Sequence, residues 1–266
     1  MRLPVAVLLM FFFSLAATAF EAADVKRLQS TLACARCNLM GAALREINLK
    51  GANLQGARLR ESELKEVDLR GANLSQADLR RSDLEKANLS GANLADSQLR
   101  GADLEKANLT QADLRNADLR EADLAKVELK GAVLDEADMR GAHAKRAIME
   151  GASLLSADLG GINLERALLQ GIVAEGANLR RAHLVRAEMA GAKLAGADLR
   201  SSNLRRANLR GADLRKTRLA DAVLFRADLS GADLSDSTGL RQERLDSACG
   251  DSKTRLPDKL TIKPCQ

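Results

Sequence analysis

Four five-residue units follow one another without interruption in the stretch GADLE-KANLT-QADLR-NADLR, residues 101–120. The same pattern extends far in both directions. From Leu39 to Leu234, every fifth residue is Leu at thirty-five of forty positions, and the residue two before it is Ala in twenty-nine of the forty units. The residue between these two is Asp or Asn in twenty-four units. The chain is therefore an array of Ala-(Asp/Asn)-Leu-x-x units rather than one or two ordinary globular domains.

A period of five fits neither an α-helix nor a straight strand. Five residues advance about 500° on a helix, which scatters successive Leu side chains around the axis. On a strand, side chains alternate between the two faces, so Leu at odd spacing would change face each time. Ala and Leu of one unit can both point inward only if the chain turns before the next unit. The pattern predicts an all-β coil of short extended sides with Ala and Leu inside.

The corner residues indicate how many sides form one coil. Gly recurs at intervals of twenty residues from Gly51 to Gly231, interrupted only by Gln111. Arg recurs at the same interval at residues 60, 80, 100, 120, 140, 180 and 200, whereas a step of fifteen shows no such agreement. Twenty residues per coil means four units per coil. Forty units therefore predict about ten coils, or a rod about 48 Å long at a stacking distance of about 4.8 Å.

The tandem array over residues 37–236 resembles the pentapeptide-repeat family. The resemblance implies a right-handed quadrilateral β-helix whose inward Leu and Ala form ladders along the axis. The chain departs from the pattern at Ala142 and Ala144, where we expect the flexible Met139 and Met149 of neighbouring sides to fill the space. Short helical caps are expected at both ends, because a stacked β-coil exposes apolar surface and unpaired edges there.

Residues 1–19 have the pattern of an export signal. Arg2 gives a positive start, an apolar run from Val5 to Ala17 follows, and the end of this segment fits a cleavage site. The run is shorter than the roughly twenty residues that a transmembrane helix needs. We therefore expect cleavage near Ala19 and a periplasmic or extracellular protein with no transmembrane span.

Residues 20–36 predict the amino-terminal cap. Asp24 is expected to N-cap a short helix. The apolar residues Val25, Leu28 and Leu32 would share one face of that helix and cover the first coil.

Residues 237–266 predict the carboxy-terminal cap. Residues 240–249 read as a second short helix ended by Gly250. The tail after it contains two prolines and is expected to be irregular, with three apolar side chains folding back over the last coil: Leu256, Leu260 and Ile262.

The four cysteines predict two disulfides, because export places them in an oxidising compartment. Three connectivities are possible, and we favour Cys34–Cys37 with Cys249–Cys265 because each pair is local. A redox role for the Cys-x-x-Cys is an alternative, but no βαβ pattern surrounds it. Residues 31–34 also resemble a lipidation motif, although charged residues separate them from the apolar run.

Little in the sequence indicates catalysis, a metal or a cofactor. The two histidines, His143 and His183, both occupy the outward middle position of a unit, two coils apart. Imidazoles about 10 Å apart cannot share one metal ion, whose bonds to nitrogen are near 2 Å. They are interpreted as solvated substitutes for Asp or Asn, and the chain as a non-enzyme.

Two columns of basic residues flank the face that carries the histidines, which we call the histidine face. The first basic column consists of Arg60, Arg80, Arg100, Arg120, Arg140, Arg180 and Arg200, and the second of Lys86, Lys106, Lys126, Arg146, Arg166, Arg186, Arg206 and Arg226. Between them, Asp83, Asp103 and Asp123 give way to His143 and uncharged residues. The carboxy-terminal half of both columns is the candidate anion-binding surface, formed by Arg140, Arg146, Arg166, Arg180, Arg186, Arg200, Arg206 and Arg226. The alternative is a solvated surface with incidental charge.

A group of apolar residues occupies outward positions on two adjacent faces. We call it the apolar patch, and it consists of Val133, Ile148, Leu155, Leu168 and Val173. A contiguous exposed apolar group indicates a partner surface, here including a homodimer. Scattered exposed apolar residues are the alternative.

The sequence thus predicts an exported, non-enzymatic binding or scaffold protein of the cell envelope. Its partner would be a protein or an anionic envelope polymer engaged through the flat faces. Some pentapeptide-repeat proteins resemble B-form DNA and bind DNA gyrase, so a DNA-mimic role is the alternative that the resemblance implies, and a structural spacer is another. Nucleic-acid binding is disfavoured because the repeats lack aromatic residues for stacking, apart from Phe225.

Overall fold

The computed structural model describes residues 20–265, so the predicted export signal lies outside the described residues. Two helices are the only helices in this range, α1 from Ala22 to Thr31 and α2 from Gln242 to Leu245. The chain between them forms no long strand. Instead, single parallel bridges join residues twenty apart, from Ala33↔Asn53 at the start to Arg218↔Thr238 near the end. With a corner after every five residues, this spacing confirms the prediction of four sides per coil.

The interior contains the Ala and Leu positions of the repeat. Leu104 and Ala107, for example, are 0% exposed. Burial of each Leu side chain contributes roughly 1.5–3 kcal/mol. The core also accommodates the departure from the repeat around Ala144. Met139, Met149 and the intervening Ala142 and Ala144 are fully buried. Small and large residues thus exchange places between neighbouring sides without opening the core.

Each corner requires a left-handed residue two positions after the central Leu. At Ala144–Ala147 the N–H of Ala147 donates to the carbonyl oxygen of Ala144 at 3.1 Å, and Arg146 has φ of 60°. A positive φ at this position is the geometry of a type II turn, which Gly adopts without steric cost. This explains why Gly is so frequent at the corners.

The middle residue of a side is Asp or Asn for a local reason. The N–H of Glu165 donates to Asn163 Oδ1 at 3.1 Å, and that of Arg140 donates to Asp138 Oδ1 at 3.2 Å. These side chains therefore satisfy a backbone donor as the chain enters the corner, as Asx turns do.

Helix α1 covers the first coil, but not with the predicted cap. The N-cap is Glu21, without a side-chain hydrogen bond, and Asp24 lies inside the first turn. The Asp24 carboxylate instead accepts the backbone N–H of Asn38 at 2.7 Å, so it ties the helix to the coil below. Leu28 is buried, but Leu32 is 37% exposed because it forms the left-handed C-cap at φ of 55°. The predictions for Asp24 and Leu32 were therefore wrong.

At the other end, α2 is much shorter than the predicted helix over residues 240–249. Backbone pairing ends it: Arg226 N–H donates to the Ser247 carbonyl at 2.6 Å, and Leu229 N–H donates to that of Cys249 at 2.8 Å. Gly250 does not end the helix, because it bridges Pro264.

The tail continues the stack instead of being irregular throughout. Asp228 bridges Cys249 and Asp233 bridges Arg255, twenty-one and twenty-two residues away, because the chain around α2 lengthens the turn. The paired backbone thus extends past residues 37–236 at both ends, and the count of ten coils stays a prediction. The three apolar side chains of the tail pack against the core, as expected: Leu256, Leu260 and Ile262.

Both disulfides join the cysteines that the sequence paired. Cys34 and Cys37 have Cα atoms 5.3 Å apart, and those of Cys249 and Cys265 are 4.8 Å apart. The first lies beneath α1, and the second fixes the tail to the last coil. Each end of the rod thus contains one disulfide bond.

Candidate anion-binding surface

The coil geometry aligns the residues of the histidine face in one ladder. Bridges connect Asp103, Asp123, His143, Asn163 and His183 in this order. The first basic column lies at the corner before this face and the second at the corner after it. The predicted arrangement of two basic columns flanking one face is therefore the arrangement in the structure.

The first basic column is largely neutralised by a local ion pair that the sequence analysis missed. Arg140 Nε lies 2.8 Å from Asp138 Oδ1, and Arg140 Nη2 lies 2.6 Å from Asp138 Oδ2. Arg200 engages Asp198 in the same bidentate way, with distances of 2.8 and 2.6 Å. Bidentate pairing strengthens such contacts and fixes their geometry. Two residues of the predicted surface, Arg140 and Arg200, thus have their charge compensated within the chain.

The signal for these pairs was present in the sequence as Asp-Leu-Arg triplets. Asp ends the extended side, Leu points inward and Arg begins the corner, so Arg folds back onto Asp. The arrangement occurs at residues 68–70, 78–80, 113–115, 118–120, 198–200 and 213–215, and with Met139 in place of Leu at residues 138–140. Hydrogen bonding from Arg120 lowers the pKa of the Asp118 carboxyl below its ordinary value.

The second basic column changes character halfway along the rod. In the amino-terminal half, Lys86 Nζ is 3.0 Å from Glu66 Oε1, and Lys106 and Lys126 lie 2.9 and 3.2 Å from Glu105 Oε1. In the other half of the column, the one ion pair among residues 20–265 is the 3.7 Å contact of Arg166 with Glu165. Beyond Lys126, acidic side chains therefore compensate little of the positive charge of this column.

Three arginines of this column are unpaired. Arg146, Arg186 and Arg206 are exposed, and within residues 20–265 no acidic side chain lies at ion-pair distance from them. Arg226 instead stacks on the ring of Phe225, with its guanidinium carbon 5.3 Å from the ring centre, and Arg205 stacks there at 4.8 Å. Two guanidinium groups on one exposed aromatic ring make this end of the column strongly basic.

The acidic part of the histidine face has the opposite electrostatics. Burial raises the pKa of the Asp103 carboxyl, and the neighbouring charges of Asp123 and Asp83 raise it further. Beyond Asp123 the ladder carries histidines and asparagines, so this repulsion ends where the unpaired arginines begin.

The histidines do not form a metal site. His143 and His183 are exposed and separated by Asn163 in the ladder. In the described part of the chain, the groups whose atoms are close enough to hold a metal each contain a disulfide, Cys34–Cys37 with Asp24 and Cys249–Cys265 with Asp228. Sulfur in a disulfide is not the thiolate that binds metals.

The apolar patch is divided by a polar corner. Ile148 and Leu168 are bridged neighbours on one face, whereas Val133 and Val173 lie two coils apart on the next face with Ser153 between them. The corner between these faces carries the ion pair of Lys130 and Glu150 at 2.7 Å. Leu155, 38% exposed, lies at the far corner, and the other four members of the patch are half-buried.

A five-residue repeat that forms a four-sided coil is characteristic of one class of solenoid proteins. The family model "Pentapeptide repeats" matches the chain in eight copies, and the matched residues together cover 37–200 and 202–238. The chain therefore belongs to the pentapeptide repeat family. Membership implies the right-handed quadrilateral β-helix predicted from the sequence.

Solved structures of the same family resemble the chain. HetL, a pentapeptide repeat protein involved in heterocyst differentiation regulation in the cyanobacterium Nostoc sp. strain PCC 7120, is 32% identical; the match covers 76% of this chain and 90% of HetL, with a TM-score of 0.37. QnrB1, a plasmid-mediated fluoroquinolone resistance protein, is 21% identical over 80% of this chain and 92% of its own, with a TM-score of 0.30. A protein of the Arabidopsis thaliana thylakoid lumen is 28% identical over 47% and 70%, with a TM-score of 0.16.

Curated protein sequences contain no match to this chain. Neither helix in residues 20–265 has the length and apolar character needed to cross a membrane.

Proposed function

We propose that the chain is an exported, non-enzymatic binding protein of the cell envelope, and that its basic carboxy-terminal surface holds an anionic polymer. The observation that supports this most directly is the loss of charge compensation along the second basic column. Arg146, Arg186 and Arg206 keep their guanidinium groups in solvent, whereas Lys86 and Lys106 are ion-paired. Unpaired cations on a rigid face raise the local concentration of anions.

The spacing of the column suits a repeating ligand. Successive corner residues stack about 4.8 Å apart, so a chain of anionic groups lying along the rod would meet several guanidinium groups at once. Each contact alone is weak in water, but several on one molecule act together. Such binding is strongly screened by salt.

Export and the absence of catalysis are supported by different observations. The pattern of residues 1–19 supports export. The two distant histidines and the carboxylates committed to Asp-Leu-Arg pairs favour a binding protein over an enzyme. Homodimer formation through the apolar patch stays a prediction.

The proposal is tested by affinity capture from envelope extract at low and high salt. The bait is the mature protein, compared with a variant carrying Arg146→Glu, Arg186→Glu and Arg206→Glu. The matched control carries Lys86→Glu, Lys106→Glu and Lys126→Glu, because these residues belong to the same column and have the same backbone geometry. We expect the first variant alone to lose its partners. Equal capture by all three proteins would reject the proposal.

A DNA-mimic role is the alternative that family membership suggests. Such a role requires an acidic surface, whereas residues 176–226 carry twelve Lys or Arg and four Asp or Glu, a net charge of +8. The charge of this region therefore favours an anionic partner.

A further inference from the structure

The Asp-Leu-Arg arrangement is broken in two consecutive coils. Residues 158–160, Asp-Leu-Gly, keep the acid and lack the arginine, whereas residues 178–180, Asn-Leu-Arg, keep the arginine and lack the acid. Asp158 and Asn178 are bridged neighbours on the same face. The two incomplete units therefore lie directly against each other.

Asn178 replaces the missing arginine as the partner of Asp158. Asn178 Nδ2 donates to Asp158 Oδ1 at 2.8 Å, and the N–H of Gly160 donates to the same oxygen at 3.0 Å. Arg140 Nε lies 3.8 Å from Asp158 Oδ2. Arg180 forms hydrogen bonds through its backbone alone: its N–H donates to Asn178 Oδ1 at 3.2 Å, and its carbonyl oxygen accepts the N–H of Gly161 at 2.8 Å. Its guanidinium is exposed and, in the described range, has no acid at ion-pair distance.

A surface depression of about 340 Å³ opens where the arginine is missing. We call it the glycine notch, and it is lined by Arg140, Gly160, Gly161, Asn178, Arg180 and Arg181. A Cβ on Gly160 would lie 3.2 Å from Asp158 Oδ1, whereas a Cβ on Gly161 would have no atom within 4 Å, so the open part of the corner is at Gly161. Arg181 is exposed and, like Arg180, has no acidic partner among residues 20–265. Two free guanidinium groups thus border an unfilled corner.

We propose that the glycine notch binds one oxyanion group, a phosphate or a carboxylate, of the acidic ligand. The planar forks of Arg180 and Arg181 match the oxygens of such groups. Arg140, already bound to Asp138, forms the opposite wall. This inference deepens the proposed function, since it assigns the ligand's anionic group to a defined subsite outside the second basic column.

The charge of the notch sets its expected affinity. Its three arginines face two carboxylates, Asp138 and Asp158, which leaves one net positive charge. A free anion therefore binds weakly, and a polymer gains affinity by occupying the notch and the second basic column together.

The test uses NMR of the ¹⁵N-labelled mature protein, following the Nε–H signals of Arg180 and Arg181. Separate titrations use inorganic phosphate, glucuronate and, as an uncharged control, glucose. We expect saturable shifts with phosphate, with glucuronate or with both, which also identifies the anionic group. Glucose should cause none. Linear, unsaturated shifts with both anions would overturn the proposal.

The variant Gly160→Arg distinguishes specific binding in the notch from general electrostatic attraction. The new arginine restores the Asp-Leu-Arg unit and fills the notch, although it adds a positive charge. Because the notch is then blocked, we expect the apparent Kd for the anion to rise at least tenfold. Ala125→Arg is the matched control, because it adds the same charge and builds the same unit on Asp123. Its affinity should not fall. Unchanged binding in Gly160→Arg would overturn the notch proposal.

Failure of the notch is distinguishable from failure of the proposed function. Polymer capture that depends on Arg146, Arg186 and Arg206 but not on Gly160 would reject only the notch. Thermal unfolding of each variant establishes that the coil is intact.

Discussion

Arg140 and Asp138, two residues apart in the chain, form a bidentate ion pair where the chain enters a corner of the coil. The pair lowers the net positive charge of the first basic column, because the guanidinium of Arg140 is already bound to the carboxylate of Asp138. The surface available to an anionic partner is therefore narrower than the pattern of arginines indicates. It consists of the arginines whose neighbouring acids are missing.

Removing the acid of one such pair should lower stability in a pH-dependent way. The pKa of Asp118 is lowered by its hydrogen bond from Arg120, so folding favours the ionised carboxyl. Its contribution is present above the unfolded value of 3.8 and is lost as the pH falls through the lowered folded value. Asp118→Asn should therefore lower the Tm by roughly 1–2 °C at pH 7, as suits a partly exposed pair. Thermal unfolding at pH 2–7 checks this; a difference that persists undiminished at pH 2 would contradict it.

Asp103 should show the opposite effect. Burial and the neighbouring acids raise its pKa in the folded state, so stability decreases as the pH rises from 3.8 through the raised value. Asp103→Asn keeps an oxygen for the N–H of Glu105 and removes the charge. We expect it to stabilise the fold at pH 7 by roughly 0.2–1 kcal/mol, the size of a cross-strand pair contribution. Urea unfolding measures this, and a destabilised variant at pH 7 would refute the explanation.

The coil could be predicted from the sequence because its determinants are local and repeated. The five-residue period, the corner glycines and the exchange of bulk between Met139 and Ala144 all concern neighbouring units. The caps were harder to predict. The Asp24 carboxylate is drawn to the N–H of Asn38, and Cys249 pairs with Asp228, so contacts with the stack override the local helix signals. The ion pair of Arg140 with Asp138 could be predicted only with the geometry of the corner known, because that geometry brings two side chains at i and i+2 together.

Backbone geometry at the corners gives a prediction independent of charge. Gly151 has φ of 66°, and an added Cβ would meet no atom within 4 Å, so Gly151→Ala changes only conformational strain. It should destabilise the fold by about 1 kcal/mol. Glu136 has φ of 59°, and Glu136→Gly should have the opposite sign and a smaller size, because Gly is more flexible when unfolded. Denaturant unfolding measures both; equal signs would contradict this account of the corners.

The disulfide at the tail should stabilise the rod more than the one beneath α1. Cys249–Cys265 closes sixteen residues of chain, and a loop of about that length is worth roughly 3 kcal/mol. Cys34–Cys37 closes only three and should contribute less through chain entropy. Double Cys→Ala variants of each pair, compared by urea unfolding, test the order. Intact mass of residues 20–266 produced in an oxidising compartment provides the control, and four free thiols would contradict both pairings.

The central claim is that unpaired arginines of the carboxy-terminal half hold an anionic polymer. Its most direct measurement is the Kd for a polyphosphate of defined length as a function of salt concentration. The mature protein is compared with the triple variant Arg146→Glu, Arg186→Glu and Arg206→Glu, and with the matched variant Lys86→Glu, Lys106→Glu and Lys126→Glu. We predict that the first variant loses at least tenfold in affinity and most of the salt dependence, while the second keeps both. Equal loss in the two variants, or no loss in either, would contradict the claim.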